Sequence, residues 1–289
     1  MMKINPNSPT TVYFSDQLVT VSLEIFLRNS IDILTKHGIN VKLLQYANDI
    51  WLRDFMPIQV GPDQFVQFSL TKDYYYQNDR HKWTNPAHIC KSLGIGPFIP
   101  TYNGQPIYLD GGNVIRGYDK AIITEKVFSD NRIPREDLTH ILTEVLQVNQ
   151  VVFIPVEPGD DTGHADGMVR FVNERTVVAN DYSGIEVSKR FKGRFYGTLA
   201  DGGLDVLPVP YHPVNKRVDG LWVALGCYIN FLHTDNQIFM PTFNNKVEDD
   251  IALARFEEIF GSGNVIPMPA SDVAMGGGVL NCLTWEISS

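Results

Sequence analysis

The sequence predicts an α/β protein in which five similar units close into a ring, a propeller-like architecture formed by one domain over residues 1–289. Three observations predict it. A hairpin–helix–strand pattern recurs along the chain, the two chain ends supply the halves of one further unit, and a polar residue stands at the start of every unit. At 289 residues, 44% hydrophobic and 20% charged, the chain is large enough for one big core or two modest ones.

The first element in chain order is TVYFSD, expected to pair with CLTWEI from the other end as a hairpin made of both termini. It continues into a helix over VTVSLEIFLRNSIDILTKHG and the strand NVKLLQY. The next unit reads DFMPIQVGPDQFVQFSL as a hairpin, a poorly patterned helix through NPAHICKSLG, and PFIP as a strand; Tyr74 to Tyr76 lie inside it as packing residues. DGGNVIRGYDKAIITEKVF then turns at RGYDK, PREDLTHILTEVL has helical spacing with Pro134 near its start, and VVFIPV is a short buried strand.

The pattern repeats in HADGMVRFVNERTVVAND, which turns at Asn173 and Glu174, a weaker helix over about SGIEVSKRFKGRFYGTLA, and the strand LDVLPVP. It repeats once more in CYINFLHTDNQIFMPTF, turning around Asp235 and Asn236, the amphipathic helix VEDDIALARFEEIF ended by Gly261, and NVIPMP. Pairing the last strand with the first leaves no open sheet edge between the end units, as in propellers.

Composition narrows the partners. A formal net charge of −9 disfavours a general nucleic-acid binder and favours a cationic ligand. No signal-like n-region opens the chain and no run of eighteen apolar residues occurs, so membrane spanning and export are not expected. Cys90, Cys227 and Cys282 cannot all pair and form no CxxC, which fits a reducing, cytoplasmic setting. A homodimer is left open.

Asp54, Asp110, Asp166, Asn230 and Cys282 open the five units, 56, 56, 64 and 52 residues apart. In equivalent units these side chains point to one centre and form a site. Cys282 follows Gly276, Gly277 and Gly278 and is expected in an apolar strand. In GHADGMVRF, His164 and Asp166 share a face if the stretch is extended. A metal is disfavoured, because one His, one Cys and hard carboxylates match the common zinc sets poorly. WLRD read alone is an Arg–Asp surface pair beside a packed Trp51, and LDGGNV a tight turn. A papain-like arrangement fits badly, since His164 precedes Cys282 by 118 residues.

Taken in order, WLRDFMP, LDGGNV, GHADGMVRF, YINF and GGGVLNCLT resemble the agmatine deiminase and bacterial-type peptidylarginine deiminase family, guanidino-group-modifying enzymes of the pentein fold. The resemblance runs from about Asn48 to Thr284 and implies a five-unit α/β propeller. It implies Cys282 as nucleophile, His164 as general acid/base, and Asp54 and Asp166 as the carboxylates that grip the guanidinium. Asp110 stands where the family usually has the Glu of EGGN, a position expected to orient the histidine, and its side chain is shorter. Asn230 matches a motif asparagine, Trp51 is an aromatic wall of the pocket, and Asn281 fills the place where agmatine enzymes usually carry His. The implied reaction is metal- and cofactor-free hydrolysis of a small cationic guanidino compound, first of all agmatine, to a ureido product and ammonia. Arginine, peptidyl arginine or a methylated guanidine as substrate, transfer of the amidino group to an amine, and guanidinium binding without turnover are the alternatives.

Overall fold

The computed structural model describes residues 10–70, 83–218, 220–234 and 237–288. Its architecture is mixed α/β, and one sheet plan is used four times: an antiparallel hairpin whose inner strand also pairs, in parallel, with a third strand. Ile115–Gly117, Lys120–Thr124 and Gln150–Ile154 form one such sheet; Val169–Phe171, Thr176–Asn180 and Asp205–Val209 the next; Leu232–Thr234, Gln237–Thr242 and Val265–Pro269 a third. The fourth joins the chain ends. Trp285–Ser288 lies antiparallel to Thr10–Ser15, which pairs in parallel with Asn40–Leu44.

A parallel partner cannot be reached by a tight turn, so each third strand arrives through a helix. Those helices are Glu24–Lys36, Arg135–Val145, Lys189–Asp201 and Lys246–Phe260. Each buries a stripe at helical spacing, such as Leu138 and Leu142, or Phe191, Phe195 and Leu199. Replacing one of these by Ala removes about 2–5 kcal/mol of stability.

Several expectations change in detail. The long N-terminal helix is two helices, Gln17–Thr20 and Glu24–Lys36, because Ser22 takes a left-handed φ of 65° between them. The helix expected over 183–200 starts only at Lys189, where the Ser188 side chain accepts from Phe191 N. In the unit after Asp54, Ile58–Gly61 and Gln64–Val66 form the hairpin and Pro86–Ser92 the helix, but PFIP contributes a single parallel bridge, Val66 to Phe98, in place of a strand. Asp235, Asn236 and Tyr74 to Tyr76 lie outside the described residues.

A short helical turn precedes the first strand in three of these units, Leu52–Phe55, Gly111–Asn113 and Ala165–Gly167, and Leu280–Leu283 occupies the same place before the C-terminal strand. The turn at Gly111–Asn113 packs on its neighbours at Leu52–Phe55 and Ala165–Gly167, and Leu280–Leu283 packs on Leu52–Phe55. The C-terminal strand is fastened by side chains as well as by its ladder. Trp285 is buried and donates Nε1–H to Pro57 O at 2.7 Å, and Gln59 and Ser288 exchange two hydrogen bonds. Among the described residues no helix is long and apolar enough to cross a membrane.

Candidate active site

Cys282 does not lie in a strand. It sits in the turn Leu280–Leu283, where its backbone N–H reaches Asn230 Oδ1 at 3.3 Å while Asn230 Nδ2 donates to its sulfur at 3.2 Å. The thiol in turn is placed to donate to Asp166 Oδ2 at 3.4 Å. Asn281 donates to the same carboxylate oxygen at 2.7 Å, so the residue beside the nucleophile holds Asp166 in place. The glycines that lead into this turn permit close packing. A Cβ on Gly278 would lie 2.6 Å from the Trp51 ring and 3.0 Å from Cys282 Cβ.

His164 is the extended residue before the turn Ala165–Gly167, and its N–H is held by Asp160 Oδ2 at 3.1 Å. Its ring lies between two carboxylates, with Nε2 3.1 Å from Asp110 Oδ2 and Nδ1 3.5 Å from Asp54 Oδ1. The shorter Asp110 therefore reaches the histidine. It does so because the glycine turn after it comes very close to Asp54: Gly112 N donates to Asp54 Oδ1 at 3.1 Å, and a Cβ there would lie 2.5 Å from that oxygen and 2.7 Å from His164 Nδ1.

Asp54, Asp110, His164, Asp166, Asn230 and Asn281 are all buried. Burial works against a charged His164, but Asp54, Asp110 and Asp166 outweigh it and raise its pKa to about 10. Burial first, and then the charges of Asp166 and Asp54, push the Cys282 thiol well above its ordinary value. These surroundings favour a protonated imidazole and a neutral thiol.

These groups open into a cavity of about 480 Å³ whose lining includes Trp51, Asp54, His164, Asp166, Asn230 and Cys282. Trp51 lines it, while Asp110 stands behind His164. Glu157, Asp160, Tyr211 and Trp222 line it as well. Among the described residues no Lys or Arg lines the cavity, and no group of three or more His, Cys, Asp or Glu side chains is arranged to hold a metal ion.

Two residues carry more than their motifs announce. Arg53 is not a surface partner of Asp54: it is largely buried, pairs with Glu286 and donates Nε–H to Asn281 O at 3.2 Å, tying the turn of Asp54 to the turn of Cys282. Cys227 lines the cavity, its thiol 3.6 Å from Gly167 O, although spacing gave it no role. Glu157, seven residues before His164, had no sequence signal because an isolated Glu after a strand is ordinary.

The family model for Porphyromonas-type peptidyl-arginine deiminase matches residues 3–287. A Shewanella frigidimarina (strain NCIMB 400) protein named "Putative agmatine deiminase" is 28% identical over 280 residues, 84% of this chain and 74% of that protein. Among solved structures, C. jejuni agmatine deiminase superposes with a TM-score of 0.74 at 17% identity, covering 98% of this chain and 94% of that one. The agmatine deiminase of Enterococcus faecalis gives 0.73 at 18% identity, covering 99% and 95%. DDAH from Pseudomonas aeruginosa, at a TM-score of 0.57 and 11% identity over 96% of this chain and 98% of that one, has the same fold. Matched along nearly its whole length, the chain belongs to the Porphyromonas-type peptidyl-arginine deiminase family.

Proposed function

We propose that the protein is a cysteine-dependent guanidine deiminase whose substrate is agmatine, and that residues 1–289 form one catalytic domain, a five-unit pentein ring. Support for the ring comes from the repeated sheet plan, the pairing of the terminal strands and the solved relatives. The single observation that carries the activity is the meeting of the Cys282 thiol, Asp166, Asp54 and His164 in the wall of one cavity. The choice of agmatine follows from the lining. Arginine would bring a carboxylate into a cavity whose described walls hold carboxylates and no Lys or Arg, whereas agmatine brings a second cation. Relatives named for agmatine point the same way, and a Cys-to-Ser variant of the C. jejuni enzyme is solved with substrate bound.

The planar guanidinium lies between Asp54 and Asp166, which accept its N–H groups, with the Trp51 ring beside it. Its charge offsets the field that keeps Cys282 protonated, so the thiol ionises as the substrate enters and its proton passes to solvent. The thiolate attacks the central carbon, the S–C bond forms, and the electron pair moves onto nitrogen. His164 gives its proton from the ring edge facing Asp54 to one amino nitrogen, the C–N bond breaks, and ammonia leaves a covalent thiouronium. Neutral His164 then takes a proton from water. The hydroxide adds to the carbon, the C–S bond breaks, and the ureido product is released with the sulfur reprotonated. Asp110 holds the other ring nitrogen throughout. No step calls on a metal or an organic cofactor, and the unpaired thiols suit a reducing cytoplasm.

The test is a panel of agmatine, arginine and peptidyl arginine, assayed for ammonia and ureido product without an added amine acceptor. Agmatine should turn over fastest, Cys282→Ala and His164→Ala should each lower kcat by about a thousandfold or more, and a chelator should change nothing. Absence of ammonia from every guanidine, or release only with an amine acceptor, would overturn the reading.

A further inference from the structure

The cavity wall carries one further carboxylate without a cationic partner, and this inference rests on the deiminase reading above. Seven carboxylates line the cavity: Asp49, Asp54, Glu157, Asp160, Asp161, Asp166 and Glu186. Most are engaged with the protein or stand in water. Asp54 and Asp166 are assigned to the guanidinium. Asp160 receives Thr162 N and Oγ1 at 2.8 Å each on one oxygen and His164 N on the other. Asp161 pairs with Arg217 at 3.1 Å, Asp49 accepts from Ile50 N at 2.6 Å, and Glu186 is exposed.

Glu157 differs from all of these. It follows directly on the strand Gln150–Ile154 and its loop, is partly buried in the cavity wall, and among the described residues meets no Lys, Arg or His. Its carboxyl instead faces the hydroxyls of Tyr211, a second lining residue, and Tyr182, whose Oη is wholly buried and has no hydrogen-bond partner among the described residues. The charges of Glu157 and Asp166 both act on the thiol of Cys227, another lining residue. A partly buried acid with neutral donors and no cation beside it, in a cavity that receives a cation, lacks its counter-ion until a ligand supplies one.

We propose that Glu157, backed by Tyr211, binds the terminal ammonium of the substrate and is the residue that selects amine-tailed guanidines. Burial, and then the charge of Asp160, raise its carboxyl to about 8, as fits a group awaiting a cationic partner. The ligand class is a guanidine joined by a short alkyl chain to a primary amine.

Steady-state kinetics with agmatine, its homologues one methylene shorter and longer, N-acetylagmatine and butylguanidine test the assignment in the wild-type protein and in Glu157→Gln. The wild type should favour amine-tailed compounds by about 10- to 100-fold in kcat/KM, the effect of one charged hydrogen bond, and should show an optimum chain length. Glu157→Gln should erase that preference through KM while leaving kcat/KM for butylguanidine within about twofold. Tyr211→Phe should lose a smaller part of it. Equal losses for agmatine and butylguanidine, or an unaltered preference in Glu157→Gln, would overturn the assignment of Glu157 while the deiminase reading stands. A wild type that releases ammonia from none of these compounds would remove the deiminase reading, and this inference with it.

Discussion

Around the nucleophile, the polar candidate side chains are tied to turns from other parts of the chain: Cys282 to Asn230, Asn281 to Asp166, His164 to Asp110, Gly112 to Asp54. Elsewhere in the cavity wall, Ile185, Glu186, Val187, Pro213, Val214 and Asn215 come from irregular segments with few such ties, and several are exposed. The difference teaches where exactness is demanded. A thiol that must meet a flat carbon along one approach needs positions held within a fraction of an ångström. A wall that reads the rest of the ligand works with a few well-placed charges, and loops can supply those.

The sharpest way to break this contrast is at Asp166, which touches both the thiol and Asn281. Asp166→Asn should lower kcat/KM for agmatine by about 100- to 1,000-fold, because a guanidinium fork loses one charged acceptor. The same change removes one of the charges that raise the Cys282 pKa, so alkylation of Cys282 at neutral pH should become faster. Slower alkylation in that variant would mean that Asp166 does not act on the thiol electrostatically.

Next in size is Gly112→Ala. The added methyl has no room between Asp54 and His164, so kcat should drop by about 100-fold and stability by about 1–3 kcal/mol. Thermal melts and kcat measured together would separate the two losses, and a variant with unaltered kcat would show that the site is looser than its hydrogen bonds indicate.

Asp110→Asn should act more through pH. A folded-state pKa near 10 against an ordinary 6.5 means that the charge on His164 stabilises the fold fully below about pH 6.5. That stabilisation is lost as pH rises through about 10. Removing Asp110 lowers the folded-state value, so the alkaline limbs of both stability and kcat should shift to lower pH. Urea melts and rate profiles across that range would read the shift, and limbs that stay in place would assign the titration to another group.

The smallest effect is expected at the exposed part of the wall. Glu186→Gln, at an exposed position, should leave kcat/KM for agmatine within about twofold.

Much of this was readable from the chain. Alternating and helical periodicities located most hairpins and helices, since both report burial that local sequence must satisfy. The residues that open the units were legible through their common register and the family likeness. Where local conformation departs from its period, the reading slipped. Ser22 interrupts a helix that the apolar spacing continues, PFIP has strand composition but makes one bridge, and Cys282 follows glycines into a helical turn in place of a strand. Cavity residues such as Glu157 and Cys227 left no trace, because their neighbours come from other units.

The order of the units, their buried faces and the chemical types gathered at each unit's start follow from periodicity and residue chemistry along the chain alone. Only the tertiary structure decided the pairings: Asp166 against Asn281 and the thiol, His164 between Asp54 and Asp110, Arg53 reaching past its neighbour to Glu286. Those partners lie 54 to 233 residues apart or meet across turns from different units. Their contacts are fixed by how closely the glycine-bearing turns dock, a distance that no local pattern encodes.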